Sequence, residues 1–457
     1  LDNLCSQLKR ITKMADNCYS HPMGILTTLD RDKWATARQR LQRDNTSKSS
    51  LDLIEKCIFV LCLDRHIPIS FNHQKSIDQT DMNIRDVNSL ALQMLHGQGS
   101  RINSANRWYD KTMQFIVCED GACGLNYEHS PSEGIAVVQL VEHLLTYMEE
   151  VRVKKLQRVQ SLCEMPYPNK LPWNVDEATV EDIEYAKSRI DKAISELDFY
   201  MIKFDDFGKE FPKRQNMSPD SFIQLALQLT YYKVYRRLVS TYESASTRRF
   251  REGRVDNIRA CSLEALTWAK AMVGEVEATP EEKITLFRKA IEHQTEQLIS
   301  TILGHGMDCH LLGLKELATD IDQNVPEIFT DESYRITNHF TLSTSQVPTS
   351  TESFMCYGPV VPDGYGVCYN PHPNYIEFCI SSFKDCQETK SDNFGSILES
   401  TLQQMHDLCC QTSDLIGRYD GRDVGVNGEI RNDQTSDAPN RSPRGKLKRQ
   451  PNLANHV

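Results

Sequence analysis

Proton chemistry needs a titratable group beside a cleft, and the stretch Tyr127-Glu-His-Ser-Pro-Ser-Glu-Gly134 offers one in His129. An imidazole titrates near neutral pH, so it can take a proton from a hydroxyl or a thiol and return it. The residues from Gly121 to Tyr127 read as the end of a strand. Beyond them Ile135, Val138, Leu140, Val141, Leu144, Leu145 and Met148 recur at helical spacing. Ser130 suits an N-cap, Pro131 the first helical position, and Glu133 completes a Ser-x-x-Glu capping box, which predicts a helix from Pro131. His129 is then the last residue before the helix and can project into a cleft. The same pattern also fits a histidine without a role and a Glu133 that meets only backbone.

Two further groups invite chemistry. Lys209 and Lys213, in Phe207-Gly-Lys-Glu-Phe-Pro-Lys-Arg214, lie one helical turn or a short loop apart. Two ammonium groups on one spot suit a phosphate dianion, and otherwise form a solvated basic face. Tyr242 and Tyr357 have aromatic faces that suit either a quaternary ammonium or core packing. No serine sits in a G-x-S-x-G elbow, which argues against a Ser-His-acid hydrolase. None of the fifteen cysteines form C-x-x-C pairs with zinc-like spacing, so no metal is expected, and most lie in apolar stretches as buried free thiols would in a reducing cytosol.

The elements around these groups alternate. Residues 1–56 mix helix and polar loop, and Cys57 to Leu63 reads as a buried strand. Asn88 to Leu95 is a short helix, and Thr112 to Val117 is a strand ahead of the one that ends at His129. Prolines 166, 168 and 172 mark a crossover between domains. Helices follow at Glu177 to Leu197, from Ser218 to about Val239, and from Thr279 to about Leu303. Strands return at Phe340 to Ser345 and Tyr375 to Ser381, and a helix from about Phe394 to Cys410 closes the folded part. The 457 residues predict domains at 1–175 and 176–412, with a disordered polar tail at 413–457. Lys446-Leu-Lys-Arg449 in that tail reads as a solvated charge cluster rather than a nuclear signal. A net charge of −11 argues against general nucleic-acid binding, and no apolar run reaches membrane-span length. Leu1 to Arg10 carries charges unlike a signal peptide, and the start at Leu1 rather than Met suggests a fragment.

His129 with its following acid, Thr241-Tyr-Glu-Ser-Ala-Ser246, Gly253-Arg-Val-Asp-Asn257, Ser343-Thr-Ser345 and Gly358-Pro-Val-Val-Pro362 together resemble the carnitine/choline acyltransferase family, from about Leu4 to Leu408. The resemblance implies an α/β fold of the chloramphenicol acetyltransferase type, with two domains of mixed sheets flanked by helices, and roughly the first third of a typical chain missing. It implies His129 as general base, Ser345 as oxyanion donor, and Glu133 as the acid that fixes the imidazole through an ion pair with an arginine such as Arg254. Lys209 and Lys213 match the lysines that hold the 3′-phosphate of coenzyme A, and Arg248 adds a phosphate contact.

The acceptor follows from what is absent. Carnitine members place a Thr and an Arg where this chain has Val255 and Cys309, and neither can pair a carboxylate. Choline is therefore the expected acceptor, held by Tyr242, Val255, Asn257, Cys309 and Tyr357, although choline members carry Asn at 309. Met355 stands where short-chain members block the acyl tunnel, which favours acetyl. The expected activity is acetyl transfer from acetyl-coenzyme A, a cosubstrate, with no permanently bound cofactor, in a cytosolic monomer. A carnitine acetyltransferase and a non-catalytic, truncated coenzyme A-binding protein are the alternatives.

Overall fold

The structure, a computed structural model, describes residues 2–16, 20–67, 86–154, 165–322 and 325–420. Helices α1 (Asp2–Asp16), α2 (Arg31–Gln42) and α3 (Asn45–Lys56) lead into strand β1 (Val60–Asp64). Helix α4 (Val87–His96) precedes β2 (Met113–Cys118) and β3 (Cys123–Tyr127). β1 runs parallel to β2, and β2 antiparallel to β3. The expected buried strand at 57–63 starts later and is half open. β1 is the sheet's edge, so Cys62 and Asp64 turn inward while Ile58, Phe59 and Leu61 stay exposed.

What fixes this small sheet is polar. Arg107 gives Asp64 two hydrogen bonds, at 2.6 and 2.8 Å, with both side chains fully buried, and Gln93 adds a third at 2.9 Å. Removing either charge leaves the other uncompensated, a loss of about 3–5 kcal/mol. Asn126 of β3 donates to the carbonyls of Met94 and Leu95 at 3.1 and 3.0 Å, closing the end of α4. Gly124 lets the strand approach: a Cβ there would lie 2.5 Å from the Met94 sulfur.

Next come α5 (Gly134–Lys154), α6 (Glu177–Glu196), β4 (Leu197–Phe204), α7 (Glu210–Arg214) and α8 (Pro219–Tyr235). Then follow the short strands β5 (Thr241–Tyr242), β6 (Ser244–Ser246) and β7 (Val255–Asn257), and helices α9 (Leu263–Met272), α10 (Pro280–Ser300), α11 (Asp308–Asp322) and α12 (Glu332–Thr337). Strands β8 (Leu342–Gln346), β9 (Tyr365–Pro371) and β10 (Ile376–Phe383) precede α13 (Ser391–Asp420). Ser218 caps α8 by accepting the Ser221 N–H, and Thr279 with Glu282 forms a full capping box on α10. α8 stops short of Val239 because Arg236 turns left-handed, at φ 55°, and bonds back to Tyr232.

The large sheet has the order β4-β10-β9-β8-β5, antiparallel on the β4 side and parallel on the β5 side, and β6 pairs with β7. One face carries Ile202, Phe204, Val367, Tyr369, Phe378 and Ile380 into a core shared with α8 and α13. Alternation sends Phe199, Met201, Cys368 and Cys379 to the other face. β4 follows α6 without a break, with no glycine or proline to announce it, and β9 is buried throughout. Leu1–Thr412 form one compact unit, and α13 runs on to Asp420. The rest of the expected tail, including Lys446–Arg449, lies outside the described residues.

Candidate active site

His129 directly follows β3, and its loop departs from the expected capping box. Ser130 gives its N–H (3.2 Å) and hydroxyl (2.6 Å) to Glu128, and α5 begins only at Gly134. Glu133 turns away from the helix start and accepts Arg254 Nε at 2.7 Å. A charge-assisted bond of that kind outweighs a bond to a backbone N–H. Arg254 sits just before β7, and the same guanidinium donates to the Ser130 carbonyl at 2.7 Å and the His129 carbonyl at 3.3 Å. One planar fork therefore grips the loop at three points. Glu133 keeps 17% of its side-chain exposure and Arg254 47%, so the clamp is partly shielded from water.

The ring of His129 lies 5.5 Å from that of Tyr127, tilted by 34°. A Cβ on Gly134 would come within 3.2 Å of the Tyr127 hydroxyl and 3.9 Å of His129 Nε2, so the glycine leaves room for both. Among the described residues, none hydrogen-bonds to the imidazole nitrogens.

Helix α5 lays Val138 against the Cys368–Cys379 face of the large sheet. β8 puts Ser343 and Ser345 on that face, with Ser345 opposite Cys368 in register. Burial, then the Cys368 thiol and the Glu133 carboxylate, pushes the Tyr127 phenol up to about 12. The tyrosine beside His129 is thus within electrostatic reach of the thiol opposite Ser345. Tyr357 covers the same face, with its hydroxyl committed to the carbonyls of Ser343 (2.9 Å) and Val367 (3.3 Å), and Met355 packs beside it.

Tyr242 on β5 stands edge-on to Phe340 at 5.4 Å. Burial raises its phenol, followed by Cys309, Glu133, Asp256 and Asp308, so these groups share its surroundings. Cys309 and Val255 touch: the thiol donates to the Val255 carbonyl at 3.3 Å. Next to Val255 lies Asp256, part of the Gly253-to-Asn257 string but given no role there. It is buried and accepts the N–H groups of Cys309 (3.1 Å) and Asn257 (2.8 Å). Burial and the Asp256 charge push the Cys309 thiol up to about 11. Asn257 is buried, with its carbonyl accepting the Glu243 N–H at 3.0 Å, so it supports the wall from behind. The guanidiniums on either side of β7 are paired, Arg254 with Glu133 and Arg259 with Asp308.

Lys209 immediately precedes the single turn α7, and Lys213 lies within it. Its start is docked on the β9–β10 turn, where Lys209 N–H bonds to the His372 carbonyl at 2.8 Å and a Cβ on Gly208 would lie 2.3 Å from that oxygen. Lys213 is exposed and paired with Glu210 at 2.7 Å. Arg248 is exposed in the β6–β7 connection. Lys203 also was not foreseen: its ammonium lies 4.3 Å above the Tyr375 ring. Burial first, then Lys209 and Lys203, lowers His372, which puts both ammonium groups near one imidazole.

Residues 1–400 match the choline/carnitine O-acyltransferase family. The chain belongs to it. The chain is 49% identical over 414 residues to choline O-acetyltransferase of Gallus gallus, covering 90% of this chain and 62% of that protein. Against choline O-acetyltransferase of Drosophila melanogaster the identity is 46% over 413 residues, covering 85% and 57%. Against carnitine O-acetyltransferase of Columba livia it is 44% over 409 residues, covering 89% and 62%. The chain therefore spans less than two thirds of the length of these relatives. The α/β class with mixed sheets flanked by helices, expected of a choline/carnitine acyltransferase, is the class observed.

Proposed function

We propose that the whole protein transfers the acetyl group of acetyl-coenzyme A to the hydroxyl of choline. His129 takes the choline proton as the oxygen attacks the thioester carbon. Ser345 donates to the oxyanion of the tetrahedral intermediate. As that intermediate collapses, the imidazolium returns its proton to the departing coenzyme A sulfur. Glu133 acts through Arg254 on the loop that presents the base. Lys209, Lys213 and Arg248 hold the phosphates of the cosubstrate, and Met355 limits the acyl chain.

One observation carries the choice of acceptor. The wall at Val255 and Cys309 contains the buried carboxylate of Asp256, and its neighbouring guanidiniums are already paired. A carnitine carboxylate pressed there meets like charge, whereas a trimethylammonium gains from Asp256 and from the faces of Tyr242 and Tyr357. The identity to a carnitine O-acetyltransferase keeps carnitine as the second reading. A non-catalytic coenzyme A-binding role is opposed by the formed clamp around His129. Buried free thiols such as Cys62, Cys118 and Cys368 support a reducing, cytosolic setting, and a division into domains near residue 175 accompanies this reading. The test is the pair of specificity constants in the full-length protein. Choline is expected to exceed carnitine by at least about a hundredfold, since an uncompensated buried charge costs several kcal/mol. Comparable constants would overturn the assignment.

A further inference from the structure

Helix α4 reaches both sheets, and each of its ends is tied to a strand that leads to a site residue. At its start Asn88, 5% exposed, accepts the Met201 N–H at 2.9 Å. Met201 belongs to β4, the edge of the large sheet, where alternate N–H groups point away from the neighbouring strand. It stands opposite Cys379, Cys379 stands opposite Cys368, and Cys368 opposite Ser345. Asn88 therefore holds the first residue of a row across the sheet that ends at Ser345. At the other end of α4, the Met94 and Leu95 carbonyls belong to the last turn, which has no further helical N–H to accept. Asn126 of β3 donates to both, at 3.1 and 3.0 Å. From Asn126 the chain stays extended: the Glu128 N–H bonds to the Thr112 carbonyl at 3.1 Å, and His129 follows.

We propose that α4 is the strut that sets the separation of His129 and Ser345, with Asn88 and Asn126 as its two positioning residues. Between the two ties the helix is closed on itself. Asp86 caps it by accepting the Ser89 N–H at 2.9 Å, and Gly97, left-handed at φ 73°, bonds back to the Gln93 carbonyl at 2.9 Å. The Ser104 and Tyr109 hydroxyls both donate to the His96 carbonyl. A capped helix of ten residues, about 15 Å long, keeps its length. The Arg254 fork fixes the loop that carries His129, and α4 fixes the strand from which that loop departs. Asn88 acts through the Met201-to-Ser345 row and Asn126 through β3. The strut bears on turnover only if His129 and Ser345 play the parts proposed above.

The experiment measures kcat and both KM values in full-length wild type, N88L, N126L, the double variant, N88D and H129A. Leucine fills the volume of asparagine and makes neither bond, whereas N88D keeps the acceptor for Met201. N88L and N126L are each expected to lower kcat by about fivefold to fiftyfold, the scale of a misplaced catalytic group. The KM values for acetyl-coenzyme A and choline should stay within about threefold, because the lysines at α7 and the acceptor wall lie on other elements. N88D should keep kcat within about threefold of wild type. Once one end is released the strut sets nothing, so the double variant should fall within about twofold of the more damaged single one. Losses that multiply would mean that each asparagine acts locally, and would overturn the strut. N88D as damaged as N88L would overturn it too. Should a leucine variant not fold, alanine at that position replaces it and the same outcomes decide. An inactive H129A beside an N88L with normal kcat would overturn the strut alone. Near-normal turnover in H129A would overturn the reading of His129 and with it the part of α4 in catalysis.

Discussion

The two sheets hold their site residues by opposite means. On the large sheet, Ser345 and the thiol opposite it belong to strands hydrogen-bonded on both sides, and Tyr357 is pinned to the main chain by its hydroxyl. On the small sheet, β3 is an edge with no fully buried residue, and His129 lies beyond its end. What holds the His129 loop comes from elsewhere, through Arg254 and the contact of α5 with the other sheet. The side of the proposed oxyanion donor is built as core, whereas the proposed base is held by one charged clamp. A rigid strand suits a group that must stay at one point while charge develops. A clamped loop suits a base whose proton must be gained and lost within a cycle.

That contrast can be broken at several strengths. His129→Ala removes the proposed base and is expected to lower turnover by about 10²–10⁴-fold, with acetyl-coenzyme A binding nearly intact. Near-normal turnover in steady-state assays would make His129 a structural residue. The double change Val255→Thr with Cys309→Arg supplies a guanidinium to the wall and is expected to move the choline-to-carnitine ratio by about tenfold or more, each tenfold being about 1.4 kcal/mol. An unmoved ratio would place the acceptor elsewhere. Lys209→Ala with Lys213→Ala is expected to raise the KM for acetyl-coenzyme A by about tenfold or more, from charged hydrogen bonds of about 1.5–3 kcal/mol each. The loss is discounted because Lys213 is exposed and already paired with Glu210. The 3′-dephospho thioester should respond less, and an equal response would rule out a 3′-phosphate contact.

Much of this was legible because the signals are local. Ser218-Pro-Asp and Thr279-Pro-Glu-Glu cap helices by a side chain that accepts the N–H three residues on, and both caps formed. The capping box at Ser130 failed for a reason no local pattern contains: Arg254, 121 residues beyond Glu133, took the acid away. β4 and β9 escaped for a related reason. β4 issues from a helix with no breaker, and β9 is buried on both faces, so its polarity does not alternate. Asp256 stood in the Gly253-to-Asn257 string without a role, because only the fold brings the Cys309 N–H to its oxygen. The resemblance supplied roles for His129, Ser345 and the lysines, and the structure added which of them are braced and by what.

The central claim is that Arg254 acts through His129, and a double-mutant cycle tests it most directly. Arg254→Ala alone is expected to lower kcat by about tenfold to a hundredfold, the scale of a misplaced catalytic group, with little change in the KM for acetyl-coenzyme A. In a His129→Ala background the same change should cost almost nothing, because there is no base left to position. Losses that multiply, with Arg254→Ala as damaging without His129 as with it, would contradict the clamp.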